Sequence, residues 1–164
     1  MRLIEGVATV EDVDAFLDDL DVVAGETGAT VQAFDARYVM GEAHLRRALE
    51  LADRAFERGE NVARERGVEV LLYVAGRRQI DRALAMGVGE GEHRVVVLVD
   101  GGNEGDAAAR IEDLLSPADA LGVEHAEPKR VQEFFGIDGD ELAATDGTLQ
   151  DVVLERVALL DVEK

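Results

Sequence analysis

Apolar residues along the chain fall into short runs rich in branched side chains and longer stretches with a period of three to four residues. The runs at 2–8, 30–34 and 94–100 have the length and composition of β-strands. A fourth run, at 70–74, carries no charge and ends before Gly76, which is typical of a strand buried on both faces. The pattern therefore predicts about four strands, with the run at 70–74 at the centre of the fold.

The stretches between these runs place apolar residues on one face of a helix. The longest predicted helix ends at about Arg58 and buries a stripe that begins at Leu45. Three helix starts carry a capping signal, at Thr9, Ser116 and Thr148. Further helices are predicted at four places: after Gly76, after the loop at 101–106, at 128–135 and at 140–144.

Apolar residues cover more than one face of the last predicted helix, which begins at Thr148. One face can pack on the domain, and the surplus is available to another protein. The residues predicted to bind a partner are Leu149, Val152, Val153, Val157 and Leu160. Deep insertion of the whole helix into the core is the alternative, and the sequence leaves it open.

The chain is strongly acidic. It has 36 acidic and 17 basic residues, and its formal net charge is −19. Repulsion of this size opposes compaction in dilute salt, whereas molar salt screens it within a few ångströms. Because the acids are spread along the whole chain, we expect a protein from a halophilic archaeon, with an ordinary acidic protein as the alternative.

Basic residues are concentrated in one section. Residues 37–82 hold ten of the 17 basic residues, all arginine, and eight of the 36 acidic residues. A polyanionic partner such as RNA would need such a face. Glu42, Arg46, Glu50 and Arg54 also follow one another at four-residue spacing, which allows ion pairs along a helix without any partner. Both explanations stay open for these arginines.

The turn after Gly76 places two cations and an amide side by side in this acidic chain. Arginine and glutamine side chains can hold backbone phosphates or the edges of unstacked bases. The candidate RNA-binding residues are Arg77, Arg78 and Gln79 in the turn, supported by His44, Arg46 and Arg47.

Composition limits the class of protein. A chain of 164 residues with 47% hydrophobic content is consistent with one domain over residues 1–164. The absence of cysteine excludes disulfides and thiolate chemistry. No apolar run has the length of a membrane span, and the first residues lack the apolar core of a signal peptide. We therefore expect a soluble, cytoplasmic protein.

Patterns that indicate catalysis are scarce. Ser116 is the only serine, and His44, His93 and His125 lie in separate predicted elements. The glycine-rich loop at 101–106 follows a strand and precedes a helix, as a phosphate-binding loop does, but it lacks the usual lysine and carries two acids. We predict no catalytic residue, no cofactor and no metal site, and keep a small-molecule enzyme that uses this loop as an alternative.

Five short motifs, in matching order along nearly the whole chain, resemble the archaeal members of the TPRKB family, which are subunits of the KEOPS complex. The motifs are Gln32-Ala33-Phe34-Asp35, Gly41-Glu42-x-His44-Leu45-x-x-Ala48, Glu69-Val70-Leu71-Leu72-Tyr73, Gly76-x-Arg78-Gln79-Ile80 and Gly147-Thr148-Leu149.

The resemblance implies an α+β fold, with a small mixed, largely antiparallel sheet of about four strands packed against several helices. It also implies a non-catalytic subunit that binds the KEOPS kinase subunit and the 3' CCA end of tRNA, and so supports threonylcarbamoyl-adenosine modification. Neither DNA nor a membrane is an expected partner. A pure protein-interaction subunit, whose arginines make only ion pairs, is the other alternative.

Overall fold

The computed structural model describes residues 1–163, and within this range it combines a four-stranded sheet with eight α-helices, which confirms an α+β fold. The strands are β1 (Arg2–Val10), β2 (Thr30–Asp35), β3 (Gly91–Asp100) and β4 (Ser116–Pro117). The helices are α1 (Val13–Thr27), α2 (Glu42–Arg58), α3 (Arg66–Ala75), α4 (Ile80–Ala83), α5 (Glu104–Glu112), α6 (Pro128–Phe135), α7 (Gly139–Ala144) and α8 (Leu149–Glu163).

The sheet belongs to the first of two compact units, which contains residues 1–36 and 87–121. The strand order is β2-β3-β1-β4, and every pair is antiparallel. Helices α1 and α5 pack on the sheet, and their apolar residues join one face of it in a common core. That core includes Ile4, Leu20, Val23, Val97 and Ile111.

The second unit contains residues 37–86 and 122–163 and is helical. Helix α2 packs on α3 and α8, and α8 also packs on α3 and α6. The predicted stripe on α2 is confirmed at Leu45, Ala48, Leu49, Ala52 and Ala55, which are all buried, whereas its last predicted member, Phe56, is half-buried. The prediction of one domain over the whole chain stays a prediction.

The predicted central strand at 70–74 is wrong, because these residues lie in α3. Every residue from 69 to 75 is buried. Burial on all sides removes the polar positions that reveal a helical period, so a short buried helix resembles a buried strand in sequence. Gly76, predicted to end the element, does end it: it adopts a left-handed conformation with φ 61° at the C-cap of α3.

Two of the three predicted helix starts are wrong. Thr9 lies in β1 opposite Glu92, and α1 is instead capped by Asp12, whose side chain accepts from the Asp14 N–H at 3.0 Å. Ser116 and Pro117 form the short strand β4, opposite Val7 and Gly6. Pro at this position is compatible with an edge strand, which has no partner on its outer side.

The third predicted start is confirmed at α8. The Thr148 N–H donates to Asp151 Oδ2 at 2.9 Å, and the Asp151 N–H donates to Thr148 Oγ1 at 3.3 Å. This reciprocal pair is a capping box.

The acidity of the chain leads to a prediction on salt. Several ion pairs are exposed, such as Arg46–Glu42 and Arg47–Glu50, so they contribute little stability against a net charge of −19. Potassium chloride shortens the Debye length from about 10 Å at 0.1 M to about 3 Å at 1 M. We expect the melting temperature to rise across this range, because screening removes more repulsion than attraction.

The measurement is a thermal melt in potassium chloride, with sucrose of equal osmolality as the control for surface exclusion. A melting temperature that is flat or falls with salt, or that rises equally in sucrose, would count against a salt adaptation.

Candidate functional site

Two aromatic rings lie side by side at the surface of the second unit, with an arginine over each of them. The Arg130 Cζ lies 5.7 Å from the Tyr38 ring centroid, and the Arg77 Cζ lies 5.0 Å from the Phe134 ring centroid. Tyr38 and Phe134 meet edge to face, with their centroids 5.6 Å apart. All four side chains are half-buried. We call Arg130, Tyr38, Phe134 and Arg77 the arginine–aromatic ladder.

Local structure brings these four residues together from three parts of the chain. Arg130 and Phe134 are four residues apart on α6, so they share one face of that helix. Tyr38 ends a 3₁₀ turn at Ala36–Tyr38. Arg77 follows the left-handed Gly76 and donates to the Phe134 carbonyl. The ladder is therefore fixed by helix ends and a turn.

Arg78 and Gln79 continue the chain from the ladder into solvent. Both side chains are exposed, and Gln79 is the N-cap residue of α4. The structure thus places Arg77 within the ladder and its two predicted neighbours directly after it. An aromatic surface flanked by guanidinium groups can stack an unpaired base and hold its phosphate.

The predicted contact of His44 with RNA is not compatible with the position of its side chain. His44 is fully buried. Its Nδ1 accepts from the Met40 N–H at 3.0 Å, so the proton is on Nε2, which donates to the Val74 carbonyl at 2.8 Å. His44 therefore joins the start of α2 to the end of α3 beneath the surface, with its ring 6.3 Å from that of Phe135.

Burial has a consequence for acid stability. Desolvation lowers the pKa of His44 from 6.5 to about 4, although the hydrogen bond to Val74 opposes this effect. Between these values the unfolded chain binds a proton that the folded protein does not. The free energy of unfolding should therefore fall by about 3 kcal/mol through this group as the pH decreases from 6.5 towards 4.

The His44→Gln variant isolates this contribution, because glutamine has no group that titrates in the range. Urea unfolding at several pH values should give a steeper loss of stability in the wild type than in the variant. Parallel curves for the two proteins would contradict the assignment.

Arg46 and Arg47, also predicted to contact RNA, lie on the outer side of α2 in ion pairs. Arg46 Nη2 is 2.5 Å from Glu42 Oε1, and Arg47 Nη1 is 3.3 Å from Glu50 Oε2. Together with Ala43, Glu50 and Leu154 they line an open groove of about 310 Å³ between α2 and α8. Their contact with RNA stays a prediction, and each of the two arginines already has an acidic partner within α2.

Most of the residues predicted to bind a partner on α8 are in the core. Val152, Val153, Val157 and Leu160 are at most 3% exposed, and Leu149 is half-buried. They are not accessible to another protein, because this face of α8 packs on α2, α3 and α6. The alternative of core insertion therefore holds for these four residues.

The remaining apolar residues of α8 form a second face. Leu154, Ala158 and Val162 follow one another at four-residue spacing, and Leu159 lies beside them. Val162 is 80% exposed and Leu159 is 38% exposed. We call Leu154, Ala158, Leu159 and Val162 the outer face of α8. At the end of the helix, Asp161 accepts from the buried Tyr73 hydroxyl at 3.0 Å, which fixes the orientation of this face.

Two backbone donors of the loop at 101–106 are bonded within the loop, so they are not available to a phosphate. The Gly101 N–H donates to Glu104 Oε2 at 2.9 Å, and the Asp106 N–H donates to Asn103 Oδ1 at 3.1 Å. Two backbone donors are thus used by the loop's own side chains. Within residues 1–163, His and carboxylate side chains form no cluster of three or more that could hold a metal ion.

Sequence analysis missed three members of the ladder: Tyr38, Phe134 and Arg130. Phe134 is half-buried, whereas Val131 and Phe135 on the same helix are buried. Two sequence features were consistent with such a surface. Tyr38 follows an arginine, and α6 carries both a pair of basic residues, Lys129 and Arg130, and a pair of phenylalanines. Nothing in the sequence, however, indicated that these segments meet.

Comparison with known protein families places the chain in a family of kinase-binding proteins. The family model for kinase binding protein CGI-121 matches residues 8–161, which is most of the chain. A search of curated proteins found no match. Among helices within the described range, none combines the length and the hydropathy needed to cross a membrane.

Proposed function

Because the chain belongs to the CGI-121 family of kinase-binding proteins, we propose that it is the non-catalytic KEOPS subunit that binds the kinase subunit and the 3' CCA end of tRNA. In this function the protein holds one end of the tRNA while the complex installs threonylcarbamoyl-adenosine. The family match supports a kinase as partner, and the arginine–aromatic ladder is the observation that favours RNA as a second partner.

The outer face of α8 is the proposed site of the kinase. Leu159 and Val162 are exposed on it, next to the exposed acids Asp151 and Glu155, and the opposite side of the helix is anchored in the core. An exposed apolar patch on a rigid helix gains free energy when a partner removes it from water. The groove between α2 and α8, with Leu154 at its wall, extends this patch.

The ladder is the proposed site of the tRNA end. Its rings are half-buried, so they are held in place and still present surface to solvent. Stacking of one base on an aromatic side chain contributes about 1–3 kcal/mol and persists in concentrated salt. That property suits a chain with a net charge of −19, because long-range attraction of RNA to the whole protein is absent.

The exposed cations next to the ladder supply the phosphate contacts in this proposal. Arg78 and Gln79 follow Arg77 directly and are exposed. A single-stranded 3' end has unstacked bases and flexible phosphates, so it can place both on one small surface, whereas a duplex hides its base faces.

A pure interaction subunit is the second candidate. The ion pairs of Arg46 and Arg47 favour it, because two of the proposed RNA-binding arginines already have acidic partners at 2.5 and 3.3 Å. In that case the arginine-rich section would serve helix stability alone.

One pair of measurements tests the proposal. The purified protein should capture the KEOPS kinase subunit, and it should bind a labelled tRNA transcript more tightly than the same transcript without its CCA end. Kinase capture with equal, weak binding of both transcripts would favour the pure interaction subunit. If the protein does not capture the kinase subunit, the whole proposal is wrong.

A further inference from the structure

A carboxylate lies between two arginines beside the ladder. Glu127 Oε2 is 3.0 Å from Arg130 Nε and 3.9 Å from Arg37 Nε. The Glu127 side chain is 49% exposed, and each arginine is 40% exposed. Two guanidinium groups that converge on one anionic oxygen form an arrangement that also suits a phosphate oxygen. We call Arg37, Glu127 and Arg130 the carboxylate clamp.

The fold does not depend on this carboxylate. Glu127 precedes α6, but its side chain makes no capping hydrogen bond. Its backbone N–H donates to the Arg37 carbonyl at 2.8 Å, and this bond ties α6 to the 3₁₀ turn without the side chain. Pro128 then begins the helix with a fixed φ. Exposed ion pairs of this kind add little to stability.

The clamp and the ladder share Arg130. The Arg130 Cζ lies over the Tyr38 ring, while its Nε faces the Glu127 carboxylate. A phosphate that binds at Arg130 would therefore meet the Glu127 carboxylate. Phosphate and carboxylate carry the same sign of charge, so the two cannot share the arginines.

We infer that Glu127 is an internal competitor for the phosphate of RNA bound at the ladder; this inference rests on the proposed RNA function. In the free protein the carboxylate neutralises Arg37 and Arg130. When RNA binds, a phosphodiester takes its place and the carboxylate turns to solvent. Glu127 thereby weakens RNA binding and reduces the number of counterions that binding releases.

The test compares Glu127→Gln with Glu133→Gln in the full chain. Glu133 lies on α6, is exposed, and carries the same charge as Glu127, but it is not part of the clamp. The ligand is a fluorescent tRNA transcript that carries its CCA end, titrated at several concentrations of potassium chloride. Thermal melts of both variants check that the fold is kept.

At about 0.1 M salt, Glu127→Gln should bind the transcript about fivefold more tightly than the wild type, as loss of two exposed ion pairs implies. Glu133→Gln should gain less than about twofold, because its charge acts only through screened solvent. The slope of log K against log salt should become more negative by about 0.7 for Glu127→Gln, which is the value for one additional phosphate of a single strand.

Equal gains in the two variants would overturn the inference, since the effect would then be one of net charge. Binding by the wild type with no gain in Glu127→Gln would also overturn it. If neither the wild type nor the variants bind the transcript, the proposed RNA function fails, and the inference fails with it.

Discussion

Kinase binding should be lost when Leu159 and Val162 are both replaced by glutamate, while the free protein stays folded. Both residues are exposed, Val162 by 80%, so the new carboxylates remain in water before association and cost little stability. In the complex they would be desolvated within an apolar interface, which is strongly unfavourable for an unpaired charge. The measurement is capture of the kinase subunit, together with the melting temperature of the free protein.

Two variants serve as controls for this prediction. Val22→Glu replaces a valine that is 51% exposed on α1, so it matches the chemistry at another site and should leave kinase capture unchanged. Val157→Glu places the charge at a residue that is 0% exposed and should destabilise the free protein by about 3–5 kcal/mol. If Leu159→Glu/Val162→Glu captures the kinase as well as the wild type does, the interface lies elsewhere.

The parts of the fold that sequence predicted are those in which local chemistry decides the structure. Strands β1, β2 and β3 were found because each contains a short apolar run, and the start of α8 was found because Thr148 and Asp151 cap each other. Helix α3 was missed for the opposite reason. Its residues from 69 to 75 are buried on every side, so its surroundings, and not its own pattern, decide between helix and strand.

The candidate site was found only in part, because residue type does not reveal which segments meet. Arg77 stood out as a cation in a turn, and the structure places it on Phe134. Its distant neighbours in the ladder, Tyr38 and Arg130, belong to segments that pack together only in the folded chain. The same limit explains His44, whose type suits RNA contact but whose full burial makes it a structural residue.

Loss of tRNA binding is expected when both Arg77 and Arg78 are replaced by glutamate. The double change removes two cations and introduces two anions beside the ladder, so it both deletes phosphate contacts and repels the backbone. Arg77 also donates to the Phe134 carbonyl, so a small decrease in melting temperature should accompany the double variant. Arg78 is exposed, and Arg78→Glu alone should weaken binding without that decrease.

The matched control for this experiment is Arg58→Glu/Arg64→Glu. These arginines belong to the same arginine-rich section and are exposed, so the net charge changes equally at a place outside the ladder.

Binding of a tRNA transcript should be measured at about 0.1 M and about 1 M potassium chloride, because screening at the higher concentration leaves stacking and hydrogen bonds as the main contributions. If the ladder is the site, Arg77→Glu/Arg78→Glu abolishes binding at both concentrations, whereas the control variant loses affinity only in low salt. Equal losses in the two variants would mean that RNA responds to the charge of the whole section, and unchanged affinity in a folded Arg77→Glu/Arg78→Glu variant would assign the turn arginines to ion pairing alone.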